Sequence, residues 1–121
     1  MTDSDSWPTE IKVKTEAKIL QITFKNGVSY SLGAELLRVE SPSAEVQGHG
    51  KDQKQLVSGR RHVGFLEIEP VGNYAIRIRF DDTHDTGIYS WEYLQHLGRN
   101  KEEIWDTYLA NIAKAGLSRD P

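Results

Sequence analysis

A chain of 121 residues is long enough for one domain with a single core, but too short for a second, catalytic domain. Its formal net charge of −3 argues against a general nucleic-acid binder, which needs a basic surface or stripe. Because cysteine is absent, disulfides, thiolate zinc sites and a protein-supplied cysteine set for an iron–sulfur cluster are excluded. No apolar run approaches the ~18 residues that span a bilayer, and no signal-peptide pattern begins the chain, so we expect a cytoplasmic protein without membrane contact.

The N-terminal part of the chain predicts a disordered start and three strands. Residues 1–7 are expected to be disordered, as chain ends commonly are. Apolar and polar residues alternate over 10–14, 20–24 and 28–32, which is the period of a strand with one buried face. Asn26 and Gly27 separate the last two strands and favour a two-residue type I′ hairpin turn.

A weakly patterned region follows a short helix or turn at 34–39. Residues 41–62 are rich in glycine and charged residues, and a connection longer than about 15 residues is usually functional or disordered. Within this region, 55–57 favours an edge strand. Residues 63–69 predict a fourth strand, and 70–73 predict a turn into the next one.

The clearest pattern in the chain is the alternation that follows this turn. Its apolar residues, which should all be buried under the C-terminal helix, are Tyr74, Ile76, Ile78 and Phe80. Arg77 and Arg79 lie on the opposite face of this predicted strand. They either pair with glutamates of the neighbouring strand, Glu67 and Glu69, or bind an anion or an acidic partner.

A polar loop follows this strand and contains the best candidates for chemistry. His84 is the one histidine with carboxylates on both sides, among them Asp82 and Asp85. Histidine with carboxylates suits iron, manganese or zinc, so these three residues form a candidate metal site, to which His49 or His62 could add a ligand. The alternative is that the imidazole only hydrogen-bonds to a carboxylate or a backbone group. No catalytic residue can be assigned, because no nucleophile–base spacing, P-loop or dinucleotide motif is present.

The C-terminal part predicts two helices. The first covers 91–97 and ends at Gly98, and the second covers 101–115, with its apolar residues on one face. Asn100 and Glu103 have the spacing of a capping box at the start of the second helix. Strands first and helices last predict an α+β fold, a two-layer sandwich in which an antiparallel-rich sheet carries the C-terminal helices on one face.

Three blocks of sequence carry a family resemblance: LRVESPSAEVQGHG, IEPVGNYAIRIRF and HDTGIYSWEYL. They resemble the gamma-butyrobetaine hydroxylase-like N-terminal domain family over 8–98. Such domains occur alone in bacteria, before the iron/2-oxoglutarate dioxygenase domain of carnitine-synthesis enzymes, and at the end of P-loop iron–sulfur carrier proteins of plastids. The resemblance implies one small α+β domain at 8–98, with 99–121 as its C-terminal helix and tail. It implies no activity, because the stand-alone members have none established.

The hydroxylases of this family bind a structural zinc ion through three cysteines and one histidine. Alignment with their cysteine-bearing segment places Ser41, Ser43 and Val46 at the cysteine positions. His84 falls at the histidine position. Serine and valine do not ligate zinc at neutral pH, so the resemblance implies that the thiolate site is absent. We therefore expect no cofactor, with weak iron or zinc binding at His84 as the alternative.

These observations favour a non-catalytic interaction or accessory domain with an unidentified protein partner. By analogy with the P-loop relatives, this domain would serve an iron or iron–sulfur pathway. A metal-binding protein that uses His84 is the alternative, and an enzyme of unknown chemistry is a further one. The candidate binding residues are Arg77, Arg79 and Trp91, because arginine suits an acidic partner and an exposed tryptophan suits a groove. A buried Trp91 would instead belong to the core.

Overall fold

The structure is a computed structural model that describes residues 7–47, 54–82, 84 and 87–121. Within these ranges the chain forms six strands and four helices, and the strands make two three-stranded antiparallel sheets. The first sheet contains β1 (Pro8–Lys14), β2 (Ile19–Phe24) and β3 (Ser29–Gly33), and the second contains β4 (Phe65–Val71), β5 (Ala75–Phe80) and β6 (Gly87–Ser90). The helices are α1 (Ala34–Val39), α2 (Ala44–Gln47), α3 (Trp91–Arg99) and α4 (Lys101–Lys114). The predicted α+β class is confirmed. Disorder is predicted for 1–7, of which 1–6 lie outside the described residues.

The first sheet contains the predicted hairpin, but its turn differs from the predicted type. β2 and β3 pair as an antiparallel hairpin. The amide of Gly27 donates a hydrogen bond to the carbonyl of Phe24 at 2.9 Å, and Gly27 has a φ of 87°. Asn26 does not have a positive φ, which a type I′ turn requires at both central positions. The connection is therefore a type I turn closed by a glycine bulge, in which the Asn26 side chain accepts a hydrogen bond from the amide of Val28.

The second sheet buries the predicted apolar face of β5 with one exception. Ile76, Ile78 and Phe80 are buried. Tyr74 is 56% exposed, because it lies in the turn between β4 and β5 rather than in the strand, so its predicted burial is wrong. β4 continues to Val71, so the turn begins later in the chain than the predicted turn at 70–73.

Two further elements differ from the prediction in the region before β4. Residues 54–58 form no strand, so the edge strand predicted at 55–57 is wrong. The one-turn helix α2 lies in a stretch that was expected to be a loop. The sequence pattern does not predict α2, because a helix of four residues is too short to show a helical period.

The core consists of a main cluster between the sheets and the helices, and a smaller one beside α4. The buried helical residues of the main cluster come from α1 and α3. The buried residues of α4, Tyr108 and Ile112, instead join Val39 in the smaller cluster. Partly buried Ile104 and Trp105 of α4 nevertheless pack against the main cluster, which contains the buried β5 residues, so α4 covers this cluster together with α1 and α3. No helix in the described ranges has the length and apolar character needed to cross a membrane.

The junction between α3 and α4 shows why two local signals failed. The side chain of Asn100 does not cap α4, and its Nδ2 donates to the carbonyl of His96 at 3.0 Å, so the predicted capping box is wrong. Gly98 does not end α3, which continues to Arg99. A Cβ atom at Gly98 would lie 2.3 Å from Cγ of Tyr30. The glycine therefore permits the close approach of α3 to β3.

Candidate functional site

The loop after β5 places His84 in the interior, beside the segment that follows α1. His84 is 5% exposed, and its Nε2 lies 2.9 Å from the hydroxyl of Ser41 and 3.4 Å from that of Ser43. Both serines are buried. We call these three residues the Ser–His cluster. Its hydrogen bonds join two segments that are far apart in the chain.

Backbone hydrogen bonds explain why the cluster forms. The amide of Phe80 donates to the carbonyl of His84 at 2.9 Å, which turns the chain back at the end of β5. The hydroxyl of Ser41 accepts a hydrogen bond from the amide of Ser43 at 3.3 Å, which orders the other segment. Val46 is buried one helical turn later, and its amide donates to the carbonyl of Ser43 at 3.1 Å.

The carboxylate of Asp82 faces two arginines. Arg38 Nε donates to Oδ2 at 2.8 Å, and Arg60 Nε lies 2.8 Å from the same oxygen, outside hydrogen-bond direction. The other oxygen accepts a hydrogen bond from the amide of His84 at 3.2 Å. Burial alone would raise the pKa of Asp82, but this amide and the two guanidinium groups outweigh it and hold the pKa below its ordinary value. The carboxylate is therefore neutralised within the protein.

The metal site predicted at His84 is only partly described. Within the described ranges, no three histidine, cysteine, aspartate or glutamate side chains are grouped so that they could hold a metal ion. Asp85 and His49 lie outside the described residues. His62 is exposed, and its backbone carbonyl accepts a hydrogen bond from Lys18 at 2.8 Å. Weak iron or zinc binding at His84 stays a prediction.

The three candidate binding residues lie around the second sheet. Arg77 pairs with Glu69 at 3.2 Å and Arg79 with Glu67 at 2.8 Å, as one of the two predicted alternatives requires. Trp91 is 8% exposed, and its indole N–H donates to a backbone carbonyl in the turn before β5. It therefore lies in the core. A binding role for the two arginines stays a prediction.

Two depressions flank α4, and the sequence alone does not predict either of them. The first, which we call the α4 groove, has a volume of about 610 Å³ and lies between α4, the end of α1 and residues 54–57. The second, which we call the Trp105 cleft, has a volume of about 510 Å³ and lies between α4, α1 and the first sheet. The helical period separates their linings: Ile104 and Tyr108 face the groove, and Trp105 faces the cleft.

Residues 11–95 match the family model described as gamma-butyrobetaine hydroxylase-like, N-terminal. The chain belongs to this family. Two NMR solution structures of relatives are each 46% identical with TM-scores of 0.83; the alignments cover 95% and 100% of this chain and 90% and 91% of those chains. A crystal structure of a protein of unknown function in the DUF971 family, from Acidithiobacillus ferrooxidans ATCC 23270, is 36% identical with a TM-score of 0.68. That alignment covers 80% of this chain and 98% of the other. None of the curated proteins compared with the chain matches it.

Membership of the gamma-butyrobetaine hydroxylase-like family gives the Ser–His cluster a context. The resemblance assigns zinc ligands to the positions of Ser41, Ser43, Val46 and His84. In this member, two of the three cysteine positions contact the histidine through hydroxyl groups. Hydrogen bonds therefore join Ser41 and Ser43 to His84, three of the positions that the resemblance matches to zinc ligands.

Proposed function

We propose that this domain is a non-catalytic accessory module that docks an extended segment of a partner protein in the α4 groove. The observation that carries the proposal is the groove itself, because Leu56 at 37% exposure, Val57 and Ile104 offer apolar contact in a concave surface. Tyr108 holds one wall in place, since its hydroxyl donates to the carbonyl of Val57 at 2.7 Å.

Charges at the two ends of the groove define the chemistry of the segment. Glu103 and Lys114 both line the groove, and neither side chain forms an ion pair or a hydrogen bond with another described residue. They lie on one helix at a rise of about 1.5 Å per residue, which separates them by about 16 Å along its axis. An extended segment covers this distance with about five residues at roughly 3.3 Å each. The complementary segment has an apolar centre, a basic residue at the Glu103 end and an acidic residue at the Lys114 end.

Peptide selection on the folded domain tests this proposal. We expect peptides displayed on phage to be enriched for an apolar centre between a basic and an acidic residue, and to bind in fluorescence polarisation. Leu56→Asp should abolish binding, because it places a charge against the apolar centre of the peptide. Leu66→Asp is the matched control, since Leu66 is also an exposed leucine, at 67%, but lies in the second sheet. Equal loss in both variants, or no enrichment of this pattern, would contradict the proposal.

The pathway is a separate part of the proposal. Resemblance to domains of iron-dependent hydroxylases and iron–sulfur carriers supports a partner that contains iron or an iron–sulfur cluster. A photo-crosslinking amino acid in place of Leu56, compared with one in place of Leu66, identifies the protein in the groove inside cells. We expect an iron protein or an iron–sulfur protein with the Leu56 probe alone. A partner outside these classes would reject the pathway and leave the groove assignment in place.

A further inference from the structure

The Trp105 cleft lies on the other side of α4, and the C-terminal tail contacts two of the residues that line it, Glu35 and Trp105. The guanidinium of Arg119 forms a two-pronged ion pair with Glu35, at 2.9 Å from Nε to Oε2 and 2.7 Å from Nη2 to Oε1. Its Cζ atom lies 5.2 Å from the centre of the Trp105 ring. A carboxylate and an indole face together form the arrangement in which proteins hold a planar organic cation. The chain's own arginine thus marks an arginine site.

The remainder of the cleft has acidic groups that Arg119 does not neutralise. Glu102 and Asp106 both line it, and neither forms an ion pair or a hydrogen bond with another described residue. Lys101 is the one cationic residue in the described lining, and its ammonium group donates to a backbone carbonyl of β3 at 2.9 Å. Apolar side chains from β2 and α1 complete the lining, which suits the aliphatic stem of an arginine.

The tail that carries Arg119 lies at the surface, and none of residues 117–121 belongs to either core cluster. Residues 117–121 form no helix or strand. The amide of Leu117 in this tail donates to the carbonyl of Ile112 at 2.8 Å. The amides of Gly59 and Arg61 donate to the carbonyls of Ser118 and Arg119, each at 2.9 Å, and Arg61 also forms an ion pair with Asp120 at 2.5 Å. A surface segment outside the core clusters opens at a lower free energy than the core does. Arg119 can therefore release Glu35 and Trp105, two residues of the cleft lining, without disturbing the core.

We propose that the Trp105 cleft binds an arginine-bearing segment of a partner polypeptide, and that Arg119 competes with that segment from within the chain. Charge complementarity and the bound guanidinium of Arg119 support this occupant over a neutral one. The site does not share its lining with the α4 groove, so it does not depend on the function proposed above.

Removal of Arg119, the internal competitor, should raise the affinity of the cleft for an arginine peptide. The probe is the peptide acetyl-Gly-Arg-Leu-Arg-Gly-amide, titrated into isotope-labelled protein while the indole N–H signal of Trp105 is followed by NMR. The control peptide replaces both arginines by citrulline, which has the same shape and no charge. Arg119→Gln should bind the arginine peptide about tenfold more tightly, as expected if Arg119 leaves the site open for about one-tenth of the time. Arg119→Lys, which keeps the charge but not the two-pronged contact, should fall between.

Matched variants separate this effect from net charge and from loss of folding. Arg99→Gln makes the same charge change at an exposed position of α3 and should leave the affinity unchanged. Glu35→Gln and the double variant Glu102→Gln with Asp106→Asn should each weaken binding in the Arg119→Gln background. The amide spectrum of each variant reports whether it is folded. Equal affinity for the arginine and citrulline peptides, or the same affinity in Arg119→Gln and Arg99→Gln, would overturn the proposal.

Discussion

Replacement of Gly98 by alanine tests how closely α3 packs on β3. The added Cβ would lie 2.3 Å from Cγ of Tyr30 and 2.6 and 2.7 Å from the two neighbouring ring carbons. Carbon atoms in contact are normally about 3.5–4.0 Å apart, so the ring must retreat by more than about 1 Å. The ring of Tyr30 also packs edge-on against Phe24, with ring centroids 6.1 Å apart, which limits that retreat.

Two opposing effects determine the sign of the change in stability. Alanine in place of glycine favours a helix by at most about 1 kcal/mol. Overpacking costs roughly 1–3 kcal/mol, and a displacement of this size belongs to the upper part of that range. Gly98→Ala should therefore lower the free energy of unfolding by about 2 kcal/mol. At about 4 °C per kcal/mol for a chain of this length, the Tm should fall by about 8 °C.

Denaturant and thermal unfolding of Gly98→Ala, Tyr30→Ala and the double variant measure the effect. In the Tyr30→Ala background the obstructing ring is gone, so Gly98→Ala should become stabilising by up to about 1 kcal/mol. This change of sign separates a steric cost from a general intolerance of the position. If Gly98→Ala is equally costly in both backgrounds, or neutral in the native one, the reasoning about close packing is refuted.

Further predictions concern the loop after β5. Asp82→Asn should cost about 2–3 kcal/mol, because it leaves a buried guanidinium without its counter-charge. The lowered pKa of Asp82 stabilises the folded wild type above the unfolded pKa of about 3.9, and this stabilisation is lost as the pH falls through the folded pKa. In urea unfolding, the free energy of unfolding should therefore fall less towards acid pH in Asp82→Asn than in the wild type. His84→Ala should lower the free energy of unfolding by about 2–4 kcal/mol, because buried hydrogen bonds and side-chain volume are lost. Peptide affinity in the α4 groove should stay unchanged. Unchanged stability with loss of a partner or metal would instead indicate that His84 belongs to a binding site. Ser41→Cys, Ser43→Cys and Val46→Cys together should create a zinc site with His84, detected by metal analysis after dialysis, whereas stoichiometric zinc in the wild type would contradict the expectation of no tightly bound metal.

Local patterns predicted the strands because alternation depends only on residues a few positions apart. The buried faces of β2 and β5 follow directly from it. The wrong predictions occur where a contact with a residue elsewhere in the chain determines the local structure. Gly98 has the local signature of a helix stop, but its role is set by the ring of Tyr30. Asn100 has the spacing of a cap, but its side chain finds an acceptor in the preceding helix.

The candidate site was less predictable, because its members are far apart in sequence. Ser41 and His84 are separated by 43 positions, and no spacing rule links them. Only the family resemblance placed both in one site. The position of Asp82 beside a histidine predicts a metal ligand, but its carboxylate forms an ion pair with Arg38, 44 positions earlier. Hydrophobic patterning alone also cannot show which faces of α4 stay uncovered, so both depressions appear only in the structure.

The Ser–His cluster stabilises its part of the fold less strongly than a structural metal site would. A structural zinc site contributes roughly 10–16 kcal/mol to folding, whereas a buried hydrogen bond contributes only about 0.5–1.5 kcal/mol net. The stability of the segments around Ser41, Ser43 and His84 therefore depends on contacts with neighbouring strands and helices. The hydroxyls of Tyr89 and Tyr93 both donate to carbonyls at the end of α1, and Arg38 in that helix pairs with Asp82. These hydrogen bonds and this ion pair hold α1 in place, and α1 in turn forms part of both depressions beside α4.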